Sequence, residues 1–316
     1  MFIKRTIAFF YLLTVAAIVC SCNNAATAIK RIKRLQEYSS GSALGYLNEQ
    51  LYLMGDDAAN LLVMGTNFNV IDSIRILDNS EKRIAKSVKP DIESIAVFPY
   101  QNKTVFLLMG SGSKQPYRNF CWVITPDGKQ KERYDLSAFY RRLSEDGIKN
   151  INIEGSAAIP GGIVLANRGN KSFRRNHLIF TKNDFFKNQD STDITIMVAG
   201  TNSDTAIFNG ISGAEYASGS DKLIVTVSTE NTYNSYSDGA IGKSYLWIFN
   251  DICSRKRFTH INPDRIIDLE KTDSRFKGHK IETVCVISET RRIIKLVLAA
   301  DDDNGETMLF ELWIKK

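Results

Sequence analysis

A short motif returns four times along the 316-residue chain: Asp91-Ile92-Glu93-Ser94, Asn152-Ile153-Glu154-Gly155, Gly210-Ile211-Ser212-Gly213 and Lys280-Ile281-Glu282-Thr283. Its isoleucines stand 61, 58 and 70 residues apart. A repeat of this length marks an array of like units, each burying its apolar faces against its neighbours. Every copy opens the same series. A strand of small residues comes first, then an apolar strand ending in polar residues, a loop, and an aromatic strand. The flanking Gly, Asn, Asp and Ser are turn formers.

Second strands are expected at Leu51–Gly55, Thr104–Gly110, Gly162–Ala166, Lys222–Ser228 and Ile293–Ala299. Third strands are expected at Asn60–Gly65, Asn119–Thr125, Asn176–Thr181, Ser244–Phe249 and Thr307–Ile314, and fourth strands at Val70–Leu77, Lys129–Leu136, Asp193–Ala199 and Arg265–Leu269. The fifth unit lacks a fourth strand, and the strand-like Ala28–Tyr38 belongs to no unit of its own. Laying it beside Thr307–Ile314 closes a ring. The expectation is an all-β fold, a β-propeller of five four-stranded blades sealed by the N-terminal strand, with six blades or a sandwich as the alternative. Small residues such as Ala96, Gly155, Ala157 and Gly213 suit innermost strands that crowd an axis. The one helical pattern is Asp135–Asp146, with Leu136, Phe139, Tyr140 and Leu143 on one face and Gly147 to end it. Asp184–Lys187 reads as a short turn.

The N-terminus carries a different signal. Lys4 and Arg5 precede an apolar run from Ile7 to Val19, too short for a comfortable membrane span. Ser21 directly before Cys22 resembles a bacterial lipobox, which implies cleavage before Cys22 and a diacylglycerol on its sulfur. Ordinary signal cleavage near Ala25-Ala26 is the alternative. The expected organisation is a signal peptide over 1–21, a tether over 22–27 and one propeller domain over 28–316. The expected location is a bacterial membrane, outer or cell-surface rather than inner, with the lipid on Cys22 as the membrane partner. Loss of Lys4 and Arg5 with the signal lowers the formal charge from +6 to +4. So small and dispersed a surplus makes no nucleic-acid footprint.

Strands in a blade alternate direction, so the first-strand entrances and the loops between second and third strands share one face. That face gathers Glu93, Glu154 and Glu282 at a funnel mouth, with Arg118, Arg168, Asn170 and Asp302 above them. The glutamates are candidates for a divalent cation such as calcium, for a general base, or for plain capping of backbone N–H groups and pairing with arginine. Like charges converging on one axis raise at least one pKa unless a cation intervenes. Arg118 and Arg168 either hold an anionic ligand in a fork or neutralise the glutamates. Thr229–Lys243, long and rich in Tyr, Asn and Ser, is the candidate specificity loop. Asp301–Gly305 lacks EF-hand spacing and reads as a turn.

Other chemistry finds no support. His177, His260 and His279 have no metal spacing, and no nucleophile elbow occurs. Gly110-Ser111-Gly112-Ser113 lacks the lysine of a phosphate loop. Cys121 and Cys285 lie in apolar runs and read as small buried hydrophobes.

Three segments carry a family resemblance: Asn152-Ile153-Glu154-Gly155 after the helix, Asn167-Arg168-Gly169-Asn170, and Gly110-Ser111-Gly112-Ser113. With them most of the mature chain resembles secreted bacterial β-propeller lipoproteins and, more loosely, the phytase-like propellers with esterase-like activity. No run of acidic ligands matches a calcium-dependent phytase. The resemblance implies the fold more than a chemistry. The expected function is a non-catalytic envelope lipoprotein whose funnel binds a small molecule, glycan or envelope protein. A metal-assisted hydrolase of phosphoesters or carboxylic esters is the alternative, and a glycosidase the third reading.

Overall fold

The structure, a computed structural model, describes residues 27–200, 208–230, 241–255, 258–301 and 305–316. The signal peptide, Cys22, Asp302 and positions 231–240 of the candidate specificity loop lie outside the described residues.

Five antiparallel sheets follow one another along the chain, and their innermost strands touch in cyclic order. The blades begin at Gly41–Leu47, Ile92–Tyr100, Ile153–Ile159, Phe208–Ala217 and Ile281–Glu289. The count is five, as the isoleucine spacing implies, and not six. Ala28–Leu35 pairs antiparallel with Thr307–Lys315 as the outermost strand of the last blade, which closes the ring. Leu35 lies opposite Thr307 at the funnel end of that strand, while Ala28 lies opposite Trp313. The N-terminal chain therefore enters from the face away from the funnel.

The core is divided as the fold dictates. Five apolar clusters each fill one cleft between neighbouring blades. Strand alternation explains this: in the second strand of blade two, Phe106 and Leu108 face blade one while Leu107 and Met109 face blade three. The helix Ser137–Glu145 buries Phe139, Tyr140 and Leu143 in the cleft between blades two and three, and Tyr140 Oη donates to the Gly110 carbonyl at 2.9 Å. Gly147, at φ +105°, takes the left-handed position after the helix. The first blade lacks the motif isoleucine because a Cβ at Gly41 would already stand 2.6 Å from Thr307 of the closing blade. Among the described residues one strand has no counterpart in the repeat: His260–Ile261 adds a short parallel strand to the outer edge of blade three. Among the described residues no helix is long and apolar enough to cross a membrane.

Inside the ring, Glu215 occupies the place held by Gly45, Ala96, Ala157 and Cys285 in the other innermost strands. Burial pushes its carboxyl up to about 8, opposed only by the Tyr216 N–H at 2.8 Å. The folded state thus favours the protonated acid. Its contribution is complete below the unfolded value near 4.3 and is lost as pH rises towards 8. Glu215→Gln is expected to remove this slope. Urea midpoints at pH 5 and pH 8.5 should show the wild type losing roughly 2–4 kcal/mol more than the variant across that window. Equal slopes would show that Glu215 is ionised throughout.

Candidate functional site

All five innermost strands are irregular at the same point. The register shifts between Gly41 and Ala43, Ile92 and Ser94, Ile153 and Gly155, Ile211 and Gly213, and Ile281 and Thr283. The bulged residues are Ser42, Glu93, Glu154, Ser212 and Glu282. A bulge inserts an unpaired residue and re-aims its side chain. The motif glutamates are thus a ring of bulges at the strand entrances, interrupted twice by serine.

The serines join neighbouring blades. Ser42 Oγ donates to the Ile92 carbonyl and Ser212 Oγ to the Ile281 carbonyl, both at 2.7 Å. A carboxylate has no proton to donate there. In blade three Arg168 takes the role instead, donating from Nη1 to the Ile211 carbonyl and to Ser228 Oγ, each at 3.1 Å. Glycine at 210 makes room for it, since a Cβ would stand 2.6 Å from the Arg168 Nε.

Charge concentrates where blades one, two and five meet. Asp91, buried and at φ +57°, accepts from Arg118 Nη1 and Ser111 Oγ at 2.5 Å and pairs with Lys89 Nζ at 2.9 Å. The same ammonium lies against Asp56. Arg118, also buried, donates to Ser113 Oγ at 2.9 Å as well. Asp56, Asp91 and Glu93 each bring one oxygen within 4.8 Å of the others. Burial pushes the Asp56 carboxyl up to about 7, with Lys89 opposing and Asp91 and Asp57 assisting. Burial also raises Glu93 well above the usual carboxylate range, helped by Asp91 and Glu154. Burial disfavours the Lys89 ammonium, but Asp56, Asp91 and Glu93 outweigh it and hold its pKa above the ordinary value. The chain's own ammonium thus occupies the position a cation would take between Asp56 and Asp91.

Beside this cluster a cavity of about 280 Å³ is lined by Asp56, Asp57, Asp301, Arg83, Lys86 and Lys89. Arg83 Nε donates to Asp57 Oδ2 at 2.6 Å. The other oxygens of Asp56 and Asp57 are buried and accept no hydrogen bond among the described residues.

Of the residues singled out from sequence, Glu93 and Glu154 are brought near one another. Glu154 accepts from Asn152 Nδ2 at 2.5 Å, and Glu282 pairs with Lys280 at 2.6 Å. Arg118 sits on Asp91 in the wall. Asn170 is engaged within its own loop, its Oδ1 accepting the Ser172 and Phe173 N–H groups. Asp56-Asp57, the loop between the second and third strands of blade one, is expected on the funnel face from strand direction, whereas Arg83, Lys89 and Asp91 were not singled out from sequence. Only Asp91, inside the motif, had a signal in the repeat. The others depend on loops whose convergence no local pattern records.

The crystal structure of the Myxococcus xanthus glutaminyl cyclase superposes with a TM-score of 0.51 at 10% identity, covering 92% of this chain and 97% of that one. The virginiamycin B lyase from Staphylococcus aureus gives 0.39 at 8% identity, covering 89% of this chain and 99% of that one. Likeness at such low identity concerns the fold alone. No curated protein matches the chain. A family model does: the chain, over residues 37–314, belongs to the Family of unknown function (DUF6929).

Proposed function

We propose that the protein is a lipid-anchored envelope propeller whose funnel binds a neutral, hydroxyl-rich ligand of the saccharide class without transforming it. The observation that carries this reading is the lining of the 280 Å³ cavity by three carboxylates and three cations. A sugar hydroxyl both donates and accepts, so it suits a wall that offers charged acceptors beside charged donors. The orphaned oxygens of Asp56 and Asp57 favour a donor-bearing ligand, since a buried acceptor left unmade costs about 1–3 kcal/mol. Anchoring through Cys22 puts the membrane on the side where the N-terminal chain enters, with the funnel turned outward.

Thermal shift against neutral oligosaccharides tests this. A ligand at a hundred times its Kd adds about 2.7 kcal/mol, roughly 5–10 °C in a domain of this size. The shift should vanish in Asp57→Asn/Arg83→Gln and be indifferent to EDTA. Cys22→Ser should move the protein from membranes to the soluble fraction and retain the shift. Absence of any saccharide shift sinks the reading.

The second reading is the metal-assisted hydrolase, favoured by the approach of Asp56, Asp91 and Glu93. It requires a divalent ion to displace Lys89. Stabilisation by calcium chloride, reversed by EDTA, together with turnover of chromogenic phosphoesters or esters, would favour it over simple binding.

A further inference from the structure

A second concavity, of about 270 Å³, lies on the funnel side of blade three, away from the charge-balanced cavity. Its lining includes Lys149, Arg174, Arg175, Phe173 and His177 and contains no carboxylate. Lys149 and Arg175 are exposed, and neither forms an ion pair among the described residues. Burial, then the Arg175 charge, lowers His177 to about 4, so the ring adds no charge at neutral pH. Phe173 stands 44% exposed.

The loop that presents these groups is held by the fold. Asn170 Oδ1 accepts the N–H groups of Ser172 at 2.9 Å and Phe173 at 3.0 Å, and its Nδ2 donates to Asn150 at 3.2 Å. Asn176 Oδ1 accepts from Gly169 at 3.0 Å and from Ile211 at 3.2 Å. A Cβ at Gly169 would stand 2.6 Å from the Arg175 carbonyl. Cations gathered on a fixed frame repel one another, by about 1 kcal/mol per pair at 4 Å even in water. An anion reverses the sign of that interaction, and prior ordering of the loop lowers the entropy lost on binding.

We propose that this pocket binds a soluble small molecule bearing a phosphate or carboxylate, with an apolar or aromatic body against Phe173. Lys149 and Arg175 hold the anion. The site is independent of the saccharide reading of the 280 Å³ cavity.

Phenyl phosphate, inorganic phosphate and phenol titrated calorimetrically into the purified protein test the assignment. Phenyl phosphate should bind more tightly than either fragment. Lys149→Gln/Arg175→Gln should weaken it about tenfold, since two charge-assisted contacts are lost at a solvated rim. Lys103→Gln, a charge change at a distant hairpin, should leave it unaltered. If the double variant melts at a lower temperature, single changes carry the comparison: Arg175→Lys should retain binding and Arg175→Glu abolish it. Equal affinity in wild type and charge-removed variants overturns the proposal. So does binding confined to phosphatidylglycerol vesicles, which would make the ligand a lipid headgroup.

Discussion

Arg118→Met is expected to lower stability by about 3 kcal/mol, the cost of leaving a buried charge without its partner. In a domain of this size that is a fall in Tm of roughly 6–10 °C. Asp91 is 4% exposed and Arg118 3%, so solvent cannot stand in for the lost guanidinium. Lys89 remains at 2.9 Å from Asp91, but it also serves Asp56, and one ammonium cannot neutralise two carboxylates. Asp91→Asn should cost a similar amount for the complementary reason. The double variant should cost clearly less than the two singles together, with a coupling of about 1–3 kcal/mol. Chemical denaturation of the four proteins of this cycle measures it. Additive losses would mean that Asp91 and Arg118 are not a unit, and that the wall of the funnel is held by other groups. The same variants should weaken any ligand of the 280 Å³ cavity, because Asp91 helps to fix Lys89 in its lining.

Removing the closing strand should have the larger effect. A chain beginning at residue 36 lacks Ala28–Leu35, and with it the whole ladder on the outer side of Thr307–Lys315. Ile29 is lost from the cleft between blades four and five, and Leu35 from the cleft between blades five and one. Each buried aliphatic side chain contributes about 1.5–3 kcal/mol, against a total stability of about 5–15 kcal/mol for a typical domain. The exposed edge at Thr307–Lys315 also becomes a template for strand pairing between molecules. The shortened chain should show no cooperative melting transition and should elute as aggregate. A chain beginning at residue 27 should melt like the full protein. Adding a synthetic peptide of residues 27–36 to the shortened chain should restore a cooperative transition. Melting of the shortened chain within a few degrees of the full one would show that the ring holds without its seal.

The two predictions draw on different kinds of information. Closure was legible in the sequence. A unit short of one strand and a spare strand near the other terminus have a single economical pairing. The blade count was legible for a related reason: spacing, period-two alternation and turn residues are local, and a propeller repeats them. The shared face of the glutamates followed from strand direction alone. The helix was read from Leu136, Phe139, Tyr140 and Leu143, and begins slightly later, at Ser137, because Asp135 still belongs to a strand.

The partners of the charges were not legible. Arg118 meets Asp91, and Arg83 meets Asp57, across separations of 27 and 26 residues. Nothing in the motif says that arginine at 168 replaces the missing serine of blade three. Nor does it say that the glutamates sit on bulges, or that Lys149 joins the loop around Arg174. Sequence by itself determined the repeat, the ring and the face on which polar residues gather, because each is set by patterns a few residues long. Only the tertiary structure decided which charges are neutralised and by which partners. Those pairings turn on ångström-scale distances between side chains from different blades, and interactions between charges in a buried setting change steeply over that range.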